Sequence, residues 1–454
     1  MSKNDVECRV LSPTAILGYG FPRASFFNGL RRNPDVIAVD AGSTDPGPYY
    51  LGAGQSFTSR VCVKRDLRHL ITQGVKRKIP VIVGTAGGCG ARPHLMWCKQ
   101  IVEEIASEEG LSFKLGLVFA DVDKETLILA LKDRKVRPLP QVPALTEQAV
   151  RESVNLVAQM GTEPIVKALD EQCDVILCGR CYDPAAFAAL PISKGYDVGL
   201  SLHMGKILEC AAISTTPGSG SDCVLGIIEK DRFLLEPLSG LRKFTRQSTA
   251  AHTLYEKSDP YHLPGPGGTL NLEGCSFHEL PAGRVEIVGT RFEESDQYLV
   301  KVEGARSRGF RSISIAGTRD PVMIRTIDRI LEGVDADVQQ ILKEEKVAGT
   351  VYYHVYGKHG VMGTREPIKN SSAHELGILL EAIGPTQEAA DTICSMTRST
   401  LLHYGYPGRI STAGNLAFPF SPSDVAMGEV FEFTVYHLMA IENQDMFTFE
   451  SVLL

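Results

Sequence analysis

Four short apolar runs, each followed by a loop of small or charged residues, constrain this chain more than any other feature. Val36–Val39, Val81–Val83, Leu115–Phe119 and Val175–Leu177 are nearly unbroken in apolar residues, and most are β-branched. Such runs mark strands covered on both faces, as in parallel sheets. Helix-like apolar spacing fills the intervals at Met96–Glu108 and Thr146–Ala158, with a shorter stretch at Thr162–Leu169 after Gly161. Strand and helix in alternation predict an α/β fold, with a Rossmann-like, doubly wound parallel sheet over about residues 1–200. Ligands of such sheets bind beyond the carboxyl ends of the strands, so the loops there are the place to look for chemistry.

The pattern changes after Gly199. Val224–Ile228 and the run Val285–Val302 read as strands separated by turns, and Arg311–Gly317 alternates apolar with polar residues. Asp320–Glu344 and Thr386–Leu402 read as helices, Thr350–Val355 and Val430–Tyr436 as strands. Residues 201–454 are therefore expected to form a C-terminal α+β domain. His262–Gly274, dense in proline and glycine, is expected to be a loop, a hinge or both.

Composition narrows the functional class. A chain of 454 residues with 43% hydrophobic content can bury a large core. Its 47 basic residues stand against 54 acidic ones, a net charge of −7 with no Lys/Arg-rich block, which argues against a nucleic-acid partner. No apolar run approaches the roughly 18–20 residues of a membrane span, and Met1–Arg9 is polar, so a cytoplasmic location is expected. Eleven scattered cysteines fit reduced thiols better than a disulfide framework.

Four loops concentrate reactive residues. The first, Asp40–Gly54, sets Asp40 and Asp45 among turn formers that also serve simply as turns. The second places Gly84, Thr85, Gly87, Gly88 and Gly90 between a strand and a helix. Its backbone N–H groups suit a phosphate or carboxylate, and a structural tight turn would look the same. It matches neither the dinucleotide fingerprint nor the P-loop. In the third, Arg180 and Asp183 follow a strand, where Arg180 would grip a carboxylate bidentately or form a structural ion pair. The spacing Cys178-x-x-Cys181 has no partner pair, so packed thiols are the better reading and no metal site is expected. The fourth spaces His203, Lys206 and Glu209 by three along a helix, presenting either an acid and base together or a solvated face.

Six stretches in this order, "DAGSTDPGPYYLGAG", "GTAGGCGA", "CGRCYDPAAF", "HMGKILEC", "AAHTLYEKSDPYHLPGPGGTLNLEG" and "TRSTLLHYGYPGRISTAGNLAFPFSPSD", resemble the acyclic terpene utilization (AtuA-like) family. The resemblance implies a place in catabolism and, from members found beside a small companion protein, either a hetero-oligomer or a homo-oligomer. It carries over no catalytic residue. From the residues themselves, Asp40, Asp45, Asp183, Glu209 and His203 are the acid/base candidates, and Gly84–Gly90 with Arg180 the substrate-binding ones. This inventory suits proton abstraction next to a carbonyl in a branched carboxylate or its acyl-CoA ester, by a lyase, hydratase or isomerase. No cofactor is required, although a divalent metal or a coenzyme A ester substrate is compatible. A carboxylate- or metal-dependent hydrolase and a non-catalytic ligand-binding subunit are the alternatives.

Overall fold

The computed structural model describes residues 7–255, 259–370, 372–410 and 415–454. Parts of the quoted stretches, residues 256–258 and 411–414, lie outside them. Contacts divide the chain into two compact units: Met1–Arg306 with Phe433–Leu454, and Ser307–Glu432. The division falls inside two long strands, Tyr298–Thr318 and Asp424–Ile441.

A ten-stranded mixed sheet organises the first unit. In chain order its strands are β1 (Cys8–Ser12), β2 (Val36–Asp40), β3 (Val81–Gly84), β4 (Lys114–Val118), β5 (Val175–Cys178), β6 (Val224–Ile228), β7 (Arg232–Pro237), β8 (Ser276–Leu280), β9 (Arg284–Val288) and β10 (Phe449–Leu453). Their spatial order is β8-β9-β7-β6-β1-β2-β3-β5-β4-β10. The five central strands are parallel, as the four apolar runs require. The flanking strands are antiparallel, so the sheet is mixed rather than wholly parallel.

Burial alternates along the central strands between two cores. Ile37, Val39, Val81, Val83, Leu115 and Val175 pack with the helices Arg60–Arg77 and Arg92–Glu109. Val36, Ala38, Ile82, Val118 and Ile176 pack with the helices Ala185–Ser193 and Val198–Leu208. Both faces are therefore dry, and polar chemistry is confined to the strand ends.

Two expectations need correction. Thr146–Ala158 is not one helix. Glu147–Glu152 is helical, Ser153 ends the helix in an extended conformation, and Asn155–Ala158 is a strand paired with Val302–Ala305. Its apolar residues Leu156, Val157 and Ala158 are consecutive, a strand feature that the helical spacing of the preceding turn obscured. His262–Gly274 is likewise not an open loop. His262–Gly265 and Gly268–Asn271 form a hairpin, extended to three strands by Arg291–Glu294. Its Pro and Gly residues build the turn and the hairpin's close contact with Tyr182, since a side chain on Gly265 would approach that ring at 2.9 Å.

In the second unit, Thr350–Tyr356 pairs with Leu376–Gly384, which pairs with Phe310–Thr318. The helices Pro321–Glu344 and Gln387–His403 contribute Ile327, Val334, Ile393 and Leu401 to its core.

Candidate functional site

Asp40 ends β2 and lies in register with Gly84 at the end of β3, while β5 ends two residues before Arg180. Three of the four loops singled out in the sequence thus meet at one edge of the sheet. The glycine loop is the packing element there. Gly87, Gly88 and Gly90 all adopt positive φ, and a side chain on Gly90 would lie 2.2 Å from the Arg180 backbone nitrogen. Only glycine permits so close a backbone approach. The loop is buried throughout, and none of Gly84, Thr85, Gly87, Gly88 or Gly90 lines the neighbouring cleft. Thr85, a β-branched residue held at φ 45°, turns its hydroxyl toward the Arg180 guanidinium at 3.5 Å and accepts from the Cys181 N–H at 3.4 Å.

The cleft of about 560 Å³ lies within the first unit and has a size typical of small-molecule sites. Charged residues on its walls are Asp45, Arg137, Arg180, Asp183, Lys206 and Lys301. Arg180 is buried, and two of its three guanidinium nitrogens are engaged within the protein. Its Nε donates to Glu303 Oε2 at 2.7 Å, and one terminal nitrogen donates to the Cys181 carbonyl at 2.9 Å and to Asp183 Oδ1 at 3.1 Å. The bidentate grip expected on a substrate is thus directed at the protein's own carboxylates.

Glu303 is the residue that sequence reasoning missed. It is fully buried, accepts from Thr44 Oγ1 at 2.8 Å and pairs with Lys301 Nζ at 2.9 Å. Burial alone would push its carboxyl up, but Arg180 and Lys301 hold it down at about 2. A signal was present: Lys301 and Glu303 interrupt the otherwise apolar Tyr298–Ala305 stretch at a spacing of two, which puts both on one face of a strand.

Behind Asp183 lies a group of buried acids. Asp40 Oδ1 has no hydrogen-bond partner among the described residues. Burial, then the neighbouring Asp183 and Glu209 carboxylates, push the Asp40 carboxyl well above its ordinary value, with Arg180 pulling only partly back. Ionisation of Asp40 is therefore disfavoured in the folded protein. Glu209 pairs with Lys206 one helical turn away, both buried. Burial works against the Lys206 charge, but Glu209 and then Asp183 keep the ammonium firmly protonated.

His203 does not join this group. Its ring is enclosed between Thr290 Oγ1 at 2.7 Å and Thr253 Oγ1 at 3.0 Å, against the edges of Phe233 and Phe277. Burial drives it down to about 3, so it is neutral and serves packing. The shared helix face is broken because the helix Val198–Leu208 is buried on every side. Asp45 lines the cleft but is exposed, with its carboxylate on Ser43 Oγ at 2.7 Å. Cys178 and Cys181 are buried, and burial raises both thiols, Cys181 to about 12. Thiols so far above neutral are poor nucleophiles and poor ligands. Among the described residues no group of three His, Cys, Asp or Glu is placed to hold a metal ion, and no helix is long and apolar enough to cross a membrane.

Comparison with curated proteins and with solved structures gave no match. Residues 57–221 match the family model described as acyclic terpene utilisation family protein AtuA. That span contains the glycine loop, the Arg180–Asp183 loop and the Lys206–Glu209 helix end, three of the four loops that build the site. Over residues 57–221, little more than a third of the chain, the sequence is therefore similar to the AtuA-like acyclic terpene utilisation family.

Proposed function

We propose that the cleft is an active site for acid/base chemistry next to a carbonyl, in a branched carboxylate or its acyl-CoA ester, of the lyase, hydratase or isomerase class. One observation supports this reading: a fully buried carboxyl, Asp40, with an unpartnered oxygen and neighbouring carboxylates at Asp183 and Glu209, next to a cleft lined by Asp183 and several cations. Environments that drive neighbouring acids apart are how one site supplies both a proton acceptor and a proton donor at neutral pH. Asp183, about a third exposed and on the cleft wall, is the base. Asp40, a buried acid beside it whose ionisation is disfavoured, returns the proton, and the Lys206 ammonium steadies the negative charge that develops on the substrate oxygen. The similarity of residues 57–221 to the acyclic terpene utilisation family supports a catabolic setting.

The test is solvent exchange. Incubated in D2O with 3-methylglutarate, 2-methylsuccinate and their coenzyme A monoesters, the protein should place deuterium next to a carbonyl of at least one compound, read by mass spectrometry. Asp183→Asn should slow that exchange roughly a hundredfold or more, the worth of a positioned acid/base group. Absence of exchange in every compound, or full exchange by Asp183→Asn, overturns the proposal.

A further inference from the structure

With the Arg180 fork directed at Glu303 and Asp183, the recognition of a substrate anion falls to other residues. The opposite wall of the cleft comes from different strands. Arg137 lies on the short strand Val136–Pro138, in register with Leu438, and Tyr436 follows two residues back on the same face. The Gln159 N–H donates to the Lys301 carbonyl at 2.8 Å, so Gln159 and Lys301 are neighbours, and the Lys301 ammonium stands 4.7 Å over the Tyr436 ring. All five residues line the cleft, with Leu139 and Leu299 beside them.

The charges here are unequal. Glu303 is shared between Lys301 and Arg180, and Arg180 also pairs with Asp183, so Lys301 has only a share of one carboxylate. Arg137 is exposed and makes no ion pair or side-chain hydrogen bond with any described residue. An exposed guanidinium and a mostly buried ammonium that line one cleft together with three leucines fit an oxyanion attached to an aliphatic chain.

We infer that Arg137 and Lys301 form an oxyanion-binding subsite, which holds the charged end of a branched aliphatic ligand away from the Asp183 end of the cleft. The inference rests on the acid/base reading for what happens at that other end, but not for binding. The oxyanion is a carboxylate of the ligand itself or a phosphate of its coenzyme A carrier, and the two are separable by experiment.

Arg137→Gln removes the charge without removing a contact, so its melting temperature should stay within about 1 °C of the parent. Calorimetric titration of the full chain with 3-methylglutarate, and separately with coenzyme A, reads the subsite. Loss of a charged hydrogen-bond partner weakens binding roughly 10- to 150-fold. A loss confined to 3-methylglutarate assigns the subsite to carboxylate, and a loss confined to coenzyme A assigns it to phosphate. Affinity for both probes equal to the parent, or no binding of either by the parent, overturns the inference. If Arg137→Gln binds normally while Asp183→Asn loses exchange, the subsite falls and the acid/base reading stands. If Arg137→Gln loses binding and the parent shows no exchange, the reverse holds.

Discussion

Glu303→Gln tests the electrostatic design of the site most sharply, because it keeps the shape of a fully buried side chain and removes its charge. In the folded protein the carboxyl titrates at about 2 rather than at its ordinary 4.5. At about 1.4 kcal/mol per tenfold difference, that depression is worth roughly 3 kcal/mol of folding stability at neutral pH. The sign follows from the direction of the shift. A depressed acid contributes in full above about 4.5, and the contribution is lost as pH falls through about 2. An independent argument gives a similar size: removing one partner from a buried ion pair costs about 3–5 kcal/mol, here by stranding Lys301 and leaving Arg180 with Asp183 alone. Unfolding the first unit, roughly 330 residues over Met1–Arg306 and Phe433–Leu454, carries an entropy near 0.7 kcal/mol/K at about 2.1 cal/mol/K per residue. A loss of ~3 kcal/mol therefore lowers its melting temperature by ~4 °C. Urea unfolding at pH 7 gives the free energy, and scanning calorimetry the temperature. Adding Lys301→Met should recover part of the loss by removing one stranded cation. A cost below ~1 kcal/mol for Glu303→Gln at pH 7 would falsify the claim that this carboxylate balances two buried cations.

Asp40 should behave in the opposite sense. Its folded pKa is raised, so its contribution is whole below the ordinary carboxylate range and is lost as pH rises toward the folded value. Asp40→Asn, which cannot ionise, should show a flatter decline of melting temperature between pH 4 and 8 than the parent, together with a loss of α-proton exchange of about a hundredfold or more. Parallel stability profiles for the two proteins would show that Asp40 ionises normally. The glycine loop offers a steric contrast. Gly90→Ala places a methyl 2.2 Å from a backbone nitrogen at φ +70° and should cost more than ~3 kcal/mol. Gly110→Ala, at φ +62° with nothing within 4 Å, should cost only ~1–2 kcal/mol. Equal urea midpoints for these two variants would remove the argument that Gly90 is required by backbone contact.

The central sheet was legible because its signal is local. A strand buried on both faces must be apolar at every position, and β2, β3, β4 and β5 all are, apart from their ends. Asp40 was legible for the same reason: an acid that closes such a run sits at the sheet edge whatever lies around it. The state of Asp40 was not, since its elevated pKa depends on burial and on Asp183 and Glu209, which are distant in sequence. Glu303 and Arg180 are separated by 123 residues, and nothing in either neighbourhood announces the other. His203 failed for a different cause. Its spacing of three from Lys206 is real, but a helix buried on all sides has no single functional face, and helical spacing cannot distinguish that case from an amphipathic one.

The division of labour among the charges follows from which groups are satisfied and which are not. Arg180, Glu303, Lys301 and Thr44 satisfy one another through bonds of 2.7–2.9 Å, and a network so closed is scaffold whose loss is read in stability. Asp40 Oδ1 and the Tyr182 hydroxyl, both buried, have no partner among the described residues. Thr85 between them and the network holds a left-handed backbone that a β-branched residue seldom adopts. Unsatisfied polar atoms and strained backbone persist only where something other than folding stability maintains them. The acid/base chemistry proposed above would accordingly draw on Asp40, Asp183 and Lys206 rather than on Arg180, whose Nε and one terminal nitrogen already donate to Glu303, the Cys181 carbonyl and Asp183.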